Sequence, residues 1–339
     1  MTTEPMVGND NLNKEIIKWS CKYLSSHKYT LKNKQPENVQ NTPWSYVVRF
    51  DTSDGYIYLK HTPELFALEP TIIQILHEQF HASVPIVIAL NTELNCFLMK
   101  DAGKPLRVIL KQKFDEALLC RAIDQFTLLQ TAVADHVDVF LDIGVPDYRL
   151  DKLPSLYKEL ISQKDLLAAE GLSEVEISKL VALLPKVFNL CKKLSDYSIK
   201  QTLVQPDFND NNTLIDEVSK KITIIDLGEI VISHPFFSLL NCLEQIKKHH
   251  GLTDKDDTYL RIKDVCFKNY MNFFESKEHL LDAFTTAQLL SSVYAISYQY
   301  RFMIACGKEQ LISFQHWKLS NLLKEFMSTW IAIAGDYQV

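Results

Sequence analysis

One stretch restricts this chain more than any other. It reads Gln205-Pro206-Asp207-Phe208-Asn209-Asp210-Asn211-Asn212-Thr213-Leu214 and ends, after a polar turn, in Ile224-Ile225-Asp226-Leu227-Gly228-Glu229. Thr213 to Ile215 and Lys221 to Ile225 have the β-branched, apolar character of short strands, and Asp216 to Lys220 supplies the turn of a hairpin. Asn212 and Asp226 are then expected at the same end of paired strands. An Asp, an Asn five positions later and a strand-end Asp-x-Gly is the spacing of a phosphoryl-transfer loop.

The chemistry explains the residue types. In phosphoryl transfer the protein positions an alcohol and neutralises phosphate charge, with little covalent work of its own. A carboxylate within hydrogen-bond reach aims and deprotonates the hydroxyl, the role expected of Asp207. Mg²⁺ takes hard oxygen ligands and keeps several waters, so Asn212 and Asp226 together with phosphate oxygens suffice to hold it. Taken singly, each of these residues is an ordinary turn former; the set is what points to function.

On these residues the chain resembles the aminoglycoside phosphotransferase and choline kinase family of small-molecule kinases. The family motif is His-Gly-Asp, four residues and Asn, then a strand and Asp-x-Gly. Asp207, Asn212, Asp226 and Gly228 match it, Gln205 and Pro206 replace the His-Gly, and the family His supports the loop by hydrogen bonding. Ser233-His234-Pro235-Phe236-Phe237-Ser238-Leu239 is similar to a bacterial branch of the family. The resemblance implies an α+β, bilobal protein-kinase-like fold. Residues 1–100 would form a small nucleotide-binding lobe of antiparallel sheet plus helix, and 101–339 a larger, mainly helical catalytic and substrate-binding lobe. It further implies ATP or GTP with Mg²⁺, and a hydroxylated small-molecule acceptor such as an aminoglycoside, amino alcohol or sugar.

The N-terminal third is read against that expectation. Asn13 to Leu24 suits an amphipathic helix, and Tyr29 to Leu31 and Ser45 to Phe50 suit strands. The glycine-free polar run Lys32 to Thr42 is expected as the loop over the phosphates, with Asn41 and Thr42 standing in for the backbone amides that glycines expose. Asp54-Gly55 signals a hairpin. Alternation in the next strand puts Tyr56, Tyr58 and Lys60 on one face and Ile57 and Leu59 on the other. Lys60 can then meet the phosphates as a point charge, and Tyr58 stands where protein kinases keep a small residue. A carboxylate partner for Lys60 is sought at Glu64 or Glu69. Glu69 is preferred because it opens a helix over Pro70 to Phe80 and fits the family spacing. Val84 to Leu90 and Asn95 to Met99 read as two more strands. The resemblance then makes Met99 and Asp101 the hinge backbone that reads the adenine edge.

Beyond Val108 helices are expected over Phe114–Val137, Leu153–Glu170, Ser173–Leu194, Thr258–Phe274, Glu278–Gln299 and Phe314–Ala334, together with one capped by Ser233 and ending at His249-His250. Asp135, His136 and Asp138 read as a helix end rather than a metal site. The family's acceptor pocket implies a role for Glu229 toward an ammonium or the metal, with Tyr294, Tyr298 and Arg301 as lesser candidates. A net charge of −6 argues against nucleic acid as a partner. The seven cysteines are scattered without a Cys-x-x-Cys pair, which fits free thiols in a reducing compartment. The polar start, Met1 to Asn13, and the lack of a long apolar run point to a cytoplasmic protein without a membrane span. The competing expectation, from Gln205-Pro206 and the glycine-free loop, is a catalytically silent binding protein that keeps the kinase fold.

Overall fold

The computed structural model describes residues 10–336, so most of the polar start lies outside it. Contacts divide the chain into two compact units. The first comprises 1–104, 214–229 and 305–314, and the second 105–213, 230–304 and 315–339.

The first unit is built on a five-stranded antiparallel sheet. Helix α1 (Asp10–Ser26) precedes β1 (Glu37–Thr42), β2 (Ser45–Thr52) and β3 (Gly55–His61). Helix α2 (Glu69–Phe80) follows, then β4 (Val87–Asn91) and β5 (Cys96–Lys100), in the spatial order β1-β2-β3-β5-β4. Register sorts the side chains into two faces. Val48, Leu59 and Leu98 are cross-strand partners and lie in one core with Phe50, Ile57 and the α1 residues Ile16 and Leu24. Each such side chain, fully buried, contributes roughly 1.5–3 kcal/mol. The opposite face carries Val47 against Lys60 and Arg49 against Tyr58, as a period of two requires.

The run expected as a phosphate-covering loop is different. Glu37–Thr42 is strand β1, and the hairpin tip falls on Pro43 and Trp44. Its first four residues are exposed on both faces, so no apolar alternation marked it as a strand. Leu31 makes only an isolated bridge to Thr52. In the later part of this unit Asp216 caps its own turn, its Oδ1 accepting from the Val218 and Ser219 amides at 3.1 and 2.6 Å. The strand Ile222–Ile224 is tied to Ser83 by Ile224 N–H donating to the Ser83 carbonyl at 3.0 Å. Gly103 lies at φ +110°, where a Cβ would come within 2.2 Å of the Ile215 carbonyl oxygen, so only glycine fits.

The second unit is mainly helical. Helix α3 (Leu106–Gln112) leads into α4 (Glu116–Val133), whose N-cap Asp115 accepts from the Leu118 amide at 3.0 Å. The expected helix over Ser173–Leu194 is two, Glu174–Ala182 and Leu184–Ser195, because Pro185 can open a helix but not continue one. Leu153–Glu170 likewise divides at Gln163. Ser233 caps no helix. It ends a strand, Val231–Ser233, antiparallel to Thr202–Val204, and its hydroxyl donates to the Tyr148 carbonyl at 2.7 Å. Pro235 precedes the helix Phe236–His250 instead. Asp135 lies just past α4 and pairs with Lys200. Among the described residues no helix is long and apolar enough to cross a membrane, and no cluster of His, Cys, Asp or Glu is arranged to hold a metal.

Candidate functional site

Each unit holds a group of the residues singled out above. In the first unit, β3 delivers Lys60 to a buried position with Nζ 2.9 and 2.7 Å from the two oxygens of Glu69 and 2.6 Å from Asp226 Oδ1. Glu69, at the mouth of α2, is therefore the carboxylate that meets Lys60; Glu64 lies in a short 3₁₀ turn, Glu64–Phe66. The Leu227 amide donates to Glu69 Oε1 at 3.1 Å, which ties the Asp-Leu-Gly segment to the same carboxylate. Gly228 completes the fit, because a Cβ there would meet Glu69 Oε2 and the Phe66 carbonyl at 3.1 Å. Asp226 has φ +63°, a left-handed conformation that Asp tolerates better than most residues.

The electrostatics follow from this geometry. Burial draws the Lys60 ammonium toward neutrality, but Asp226 and Glu69 overcome it and hold its pKa above the ordinary lysine value. One ammonium and two carboxylates leave the group with one excess negative charge. Asp226 carries the exposed side of it, its side chain 36% accessible against 3% for Glu69.

In the second unit Asp207 is set on the loop between Val204 and Thr213 and held by amides. Its Oδ2 accepts from Asn212 Nδ2 at 2.9 Å and its Oδ1 from Asn209 Nδ2 at 2.9 Å. Both amides also donate to its carbonyl, at 2.9 and 2.8 Å. Asn241 reaches Oδ1 from the helix Phe236–His250 at 3.4 Å. A carboxylate only accepts, so Asn212 must face it with its NH₂ and turn Oδ1 the other way. That oxygen is the atom suited to a hard cation.

The loop's backbone is fixed without the family histidine. The Gln205 N–H donates to Ser238 Oγ at 2.9 Å, and that hydroxyl donates back to the Gln205 carbonyl at 3.0 Å. Phe208 stacks on Phe126 with ring centres 3.7 Å apart. Sequence reasoning missed Asn209, Asn241, Ser238, Arg107, Asp210 and His250. Asn209 and Asp210 stood inside the motif and Ser238 inside the Ser233–Leu239 segment, whereas no local signal marks the other three.

The remaining candidates are placed as follows. The Asp101 amide donates to the Tyr56 carbonyl at 3.1 Å. Ladder alternation then makes Tyr58 and Met99, which are in register, the next hydrogen-bonded pair. The amides of Met99 and Asp101 are thus engaged within the sheet, which leaves their carbonyl oxygens, with two lone pairs each, as the groups able to accept further. Tyr58 is half-buried, which raises its pKa, and it hydrogen-bonds Arg49. Glu229 is half-buried, and its charge adds to the burial that pushes the Cys306 thiol up to about 12. Tyr294 stacks on Phe237 at 4.8 Å and Tyr298 contacts Phe302 at 5.5 Å, both packing roles.

No protein-family model and no curated protein matches the sequence. Solved structures do. An aminoglycoside phosphotransferase bound to ADP is similar with a TM-score of 0.57 and 15% identity, over 92% of this chain and 97% of its own. An amicoumacin kinase in complex with AMP-PNP and Ca²⁺ gives 0.57 and 12%, over 94% and 96%. An ethanolamine kinase of Plasmodium vivax gives 0.59 and 10%, over 97% and 95%. The chain therefore has the α+β, protein-kinase-like fold of these small-molecule kinases and phosphotransferases.

Proposed function

We propose that this protein is a small-molecule kinase that moves the γ-phosphoryl group of ATP or GTP to a hydroxyl of a small hydroxylated acceptor, such as an aminoglycoside, amino alcohol or sugar. The observation that carries the reading is the buried Lys60 ammonium gripped by Glu69 and Asp226, in a chain with the fold of known small-molecule phosphotransferases.

In this reading Lys60, aimed by Glu69, takes the nucleotide phosphates, and the Met99–Asp101 backbone reads the base through its carbonyls. Asp207 orients the acceptor hydroxyl and accepts its proton as the alcohol oxygen bonds to the γ-phosphorus and the bond to the β–γ bridging oxygen breaks, leaving the nucleoside diphosphate. Asn212 Oδ1 and the Asp226 carboxylate are hard oxygen donors and fit Mg²⁺. When bound, the metal supplies charge neutralisation to the phosphates. Glu229 is assigned to the acceptor side. A thermal-shift titration tests the reading. Stabilisation by ATP or GTP that requires Mg²⁺ is expected, followed by phosphate transfer in a screen of hydroxylated amines and sugars.

A second reading has one observation in its favour. The tip of the β1–β2 hairpin is Pro43-Trp44, and proline has no amide to offer a phosphate. A silent kinase-fold binding protein would bind acceptor-like ligands yet show no Mg²⁺-dependent nucleotide stabilisation.

A further inference from the structure

We infer that Arg107 and His250, acting through the buried carboxylate of Asp210, are positioning residues for the Asp207 loop and supply support separate from that at Gln205. The inference rests on the phosphotransferase reading of that loop. Asp210 stands between Asp207 and Asn212 in the motif, yet its side chain points inward and is fully buried. Its Oδ1 accepts from Arg107 Nε at 2.8 Å, with Nη2 an ion-pair contact at the same distance, and its Oδ2 accepts from His250 Nε2 at 2.7 Å. Its carbonyl accepts from the Arg107 amide at 2.9 Å. A carboxylate donates nothing, so His250 must carry its proton on Nε2.

The arrangement reaches Asp207 in two further bonds. Arg107 Nη2 also donates to Asn209 Oδ1 at 2.9 Å, and Asn209 Nδ2 donates to Asp207 Oδ1 at 2.9 Å. Because a guanidinium only donates, it compels Asn209 to present its oxygen inward and its NH₂ to Asp207. The Asn211 amide, donating to the same Asn209 oxygen at 2.7 Å, reinforces that orientation. The two anchors come from separate elements, Arg107 from the first turn of α3 and His250 from the last residue of the helix Phe236–His250. Phe114 flanks the imidazole with ring centres 5.3 Å apart. The Asp210 and His250 side chains are closed off from solvent. Their effect is on where Asp207 stands, and misplacement by about 1 Å can cost on the order of 100-fold in rate.

The test compares Arg107→Met, His250→Leu and His250→Gln with the wild type. Gln retains an N–H donor for Asp210, whereas Leu does not. Two readouts are taken: phosphate release from MgATP with water as acceptor, and hydrogen exchange of the Gln205–Asn212 amides. Arg107→Met and His250→Leu are expected to lower kcat about 10- to 100-fold with KM for MgATP within about twofold, and to speed exchange in the loop while the rest of the second unit is unchanged. His250→Gln should restore both to within about threefold of wild type. Exchange that rises throughout the second unit, or kcat per folded molecule that stays at the wild-type value, overturns the inference and leaves a fold staple. If the wild type neither binds MgATP nor releases phosphate, the functional reading fails. The exchange data then still decide whether these residues hold the loop, a rise confined to it supporting the inference and no rise overturning it.

Discussion

The Lys60 group and the Asp207 loop are made of opposite materials. Around Lys60 three full charges meet within 2.9 Å, on a strand, a helix and a hairpin, with one negative charge in excess. Around Asp207 the side-chain amides of Asn209, Asn212 and Asn241 hydrogen-bond the carboxylate, and Arg107 and His250 act one step back through Asp210. A charged cluster responds strongly to an arriving polyanion or cation, because its own balance is incomplete. A loop held by amides keeps its geometry whatever the charge outside. The first arrangement suits gripping a ligand, and the second suits aiming a base.

Four experiments test this contrast. The largest effect is expected for Asp207→Ala, which should lower transfer to an acceptor by about 100- to 10,000-fold. MgATP affinity, measured by calorimetry, should stay within about twofold; loss of both together would place Asp207 in the scaffold. Lys60→Met leaves two carboxylates facing each other without their cation, and should cost about 3–5 kcal/mol in a denaturant titration together with nucleotide affinity. Adding Glu69→Gln should recover part of that stability, which checks that like charge is the cause. Gly103→Ala, forced against the Ile215 carbonyl at an unfavourable φ, should cost more than about 2 kcal/mol in the same assay without touching either set of charges.

The smallest effect concerns acid. His234 is buried, and its burial lowers its pKa from 6.5 to about 3. Below pH 6.5 the unfolded chain therefore binds a proton that the folded chain refuses until about pH 3. Stability is full above pH 6.5 and falls as the pH drops through that window, by about 1.4 kcal/mol at pH 5.5. Melting temperatures measured at pH 7.5 and 5.5 should show this loss, and His234→Gln should flatten it.

How far the sequence could be read follows the range of each interaction. The α+β kinase-like fold was implied by the resemblance carried by Asp207, Asn212, Asp226 and Gly228, while alternation in Tyr56 to Lys60 and the helical stripe of Ile72, Ile73 and Leu76 located single elements, as local consequences of burying one face. The pairing of Lys60 with Glu69 was expected from family spacing; the contact of Lys60 with Asp226, a residue expected as a metal ligand alone, was not. Strand β1 was missed because polar residues exposed on both faces leave no period to detect. Pro185 was in plain view, and the helix it interrupts was drawn through it because the apolar stripe continues on both sides. Arg107 and His250 were beyond reach. Their sequence separations from Asp210 are 103 and 40 residues, and no pattern in one chain announces such a meeting.

The hairpin tip at Pro43-Trp44 has a use of its own. Trp44 stands edge-on to Phe314 with ring centres 6.0 Å apart, within the first unit. An indole's emission colour and yield follow the polarity and quenchers around it, so the tip carries a native optical probe. The chain has three other tryptophans, Trp19, Trp317 and Trp330, and the difference between wild type and Trp44→Phe isolates this one. Fluorescence alone, with no label attached, can then time any rearrangement of the tip as ligands are mixed in.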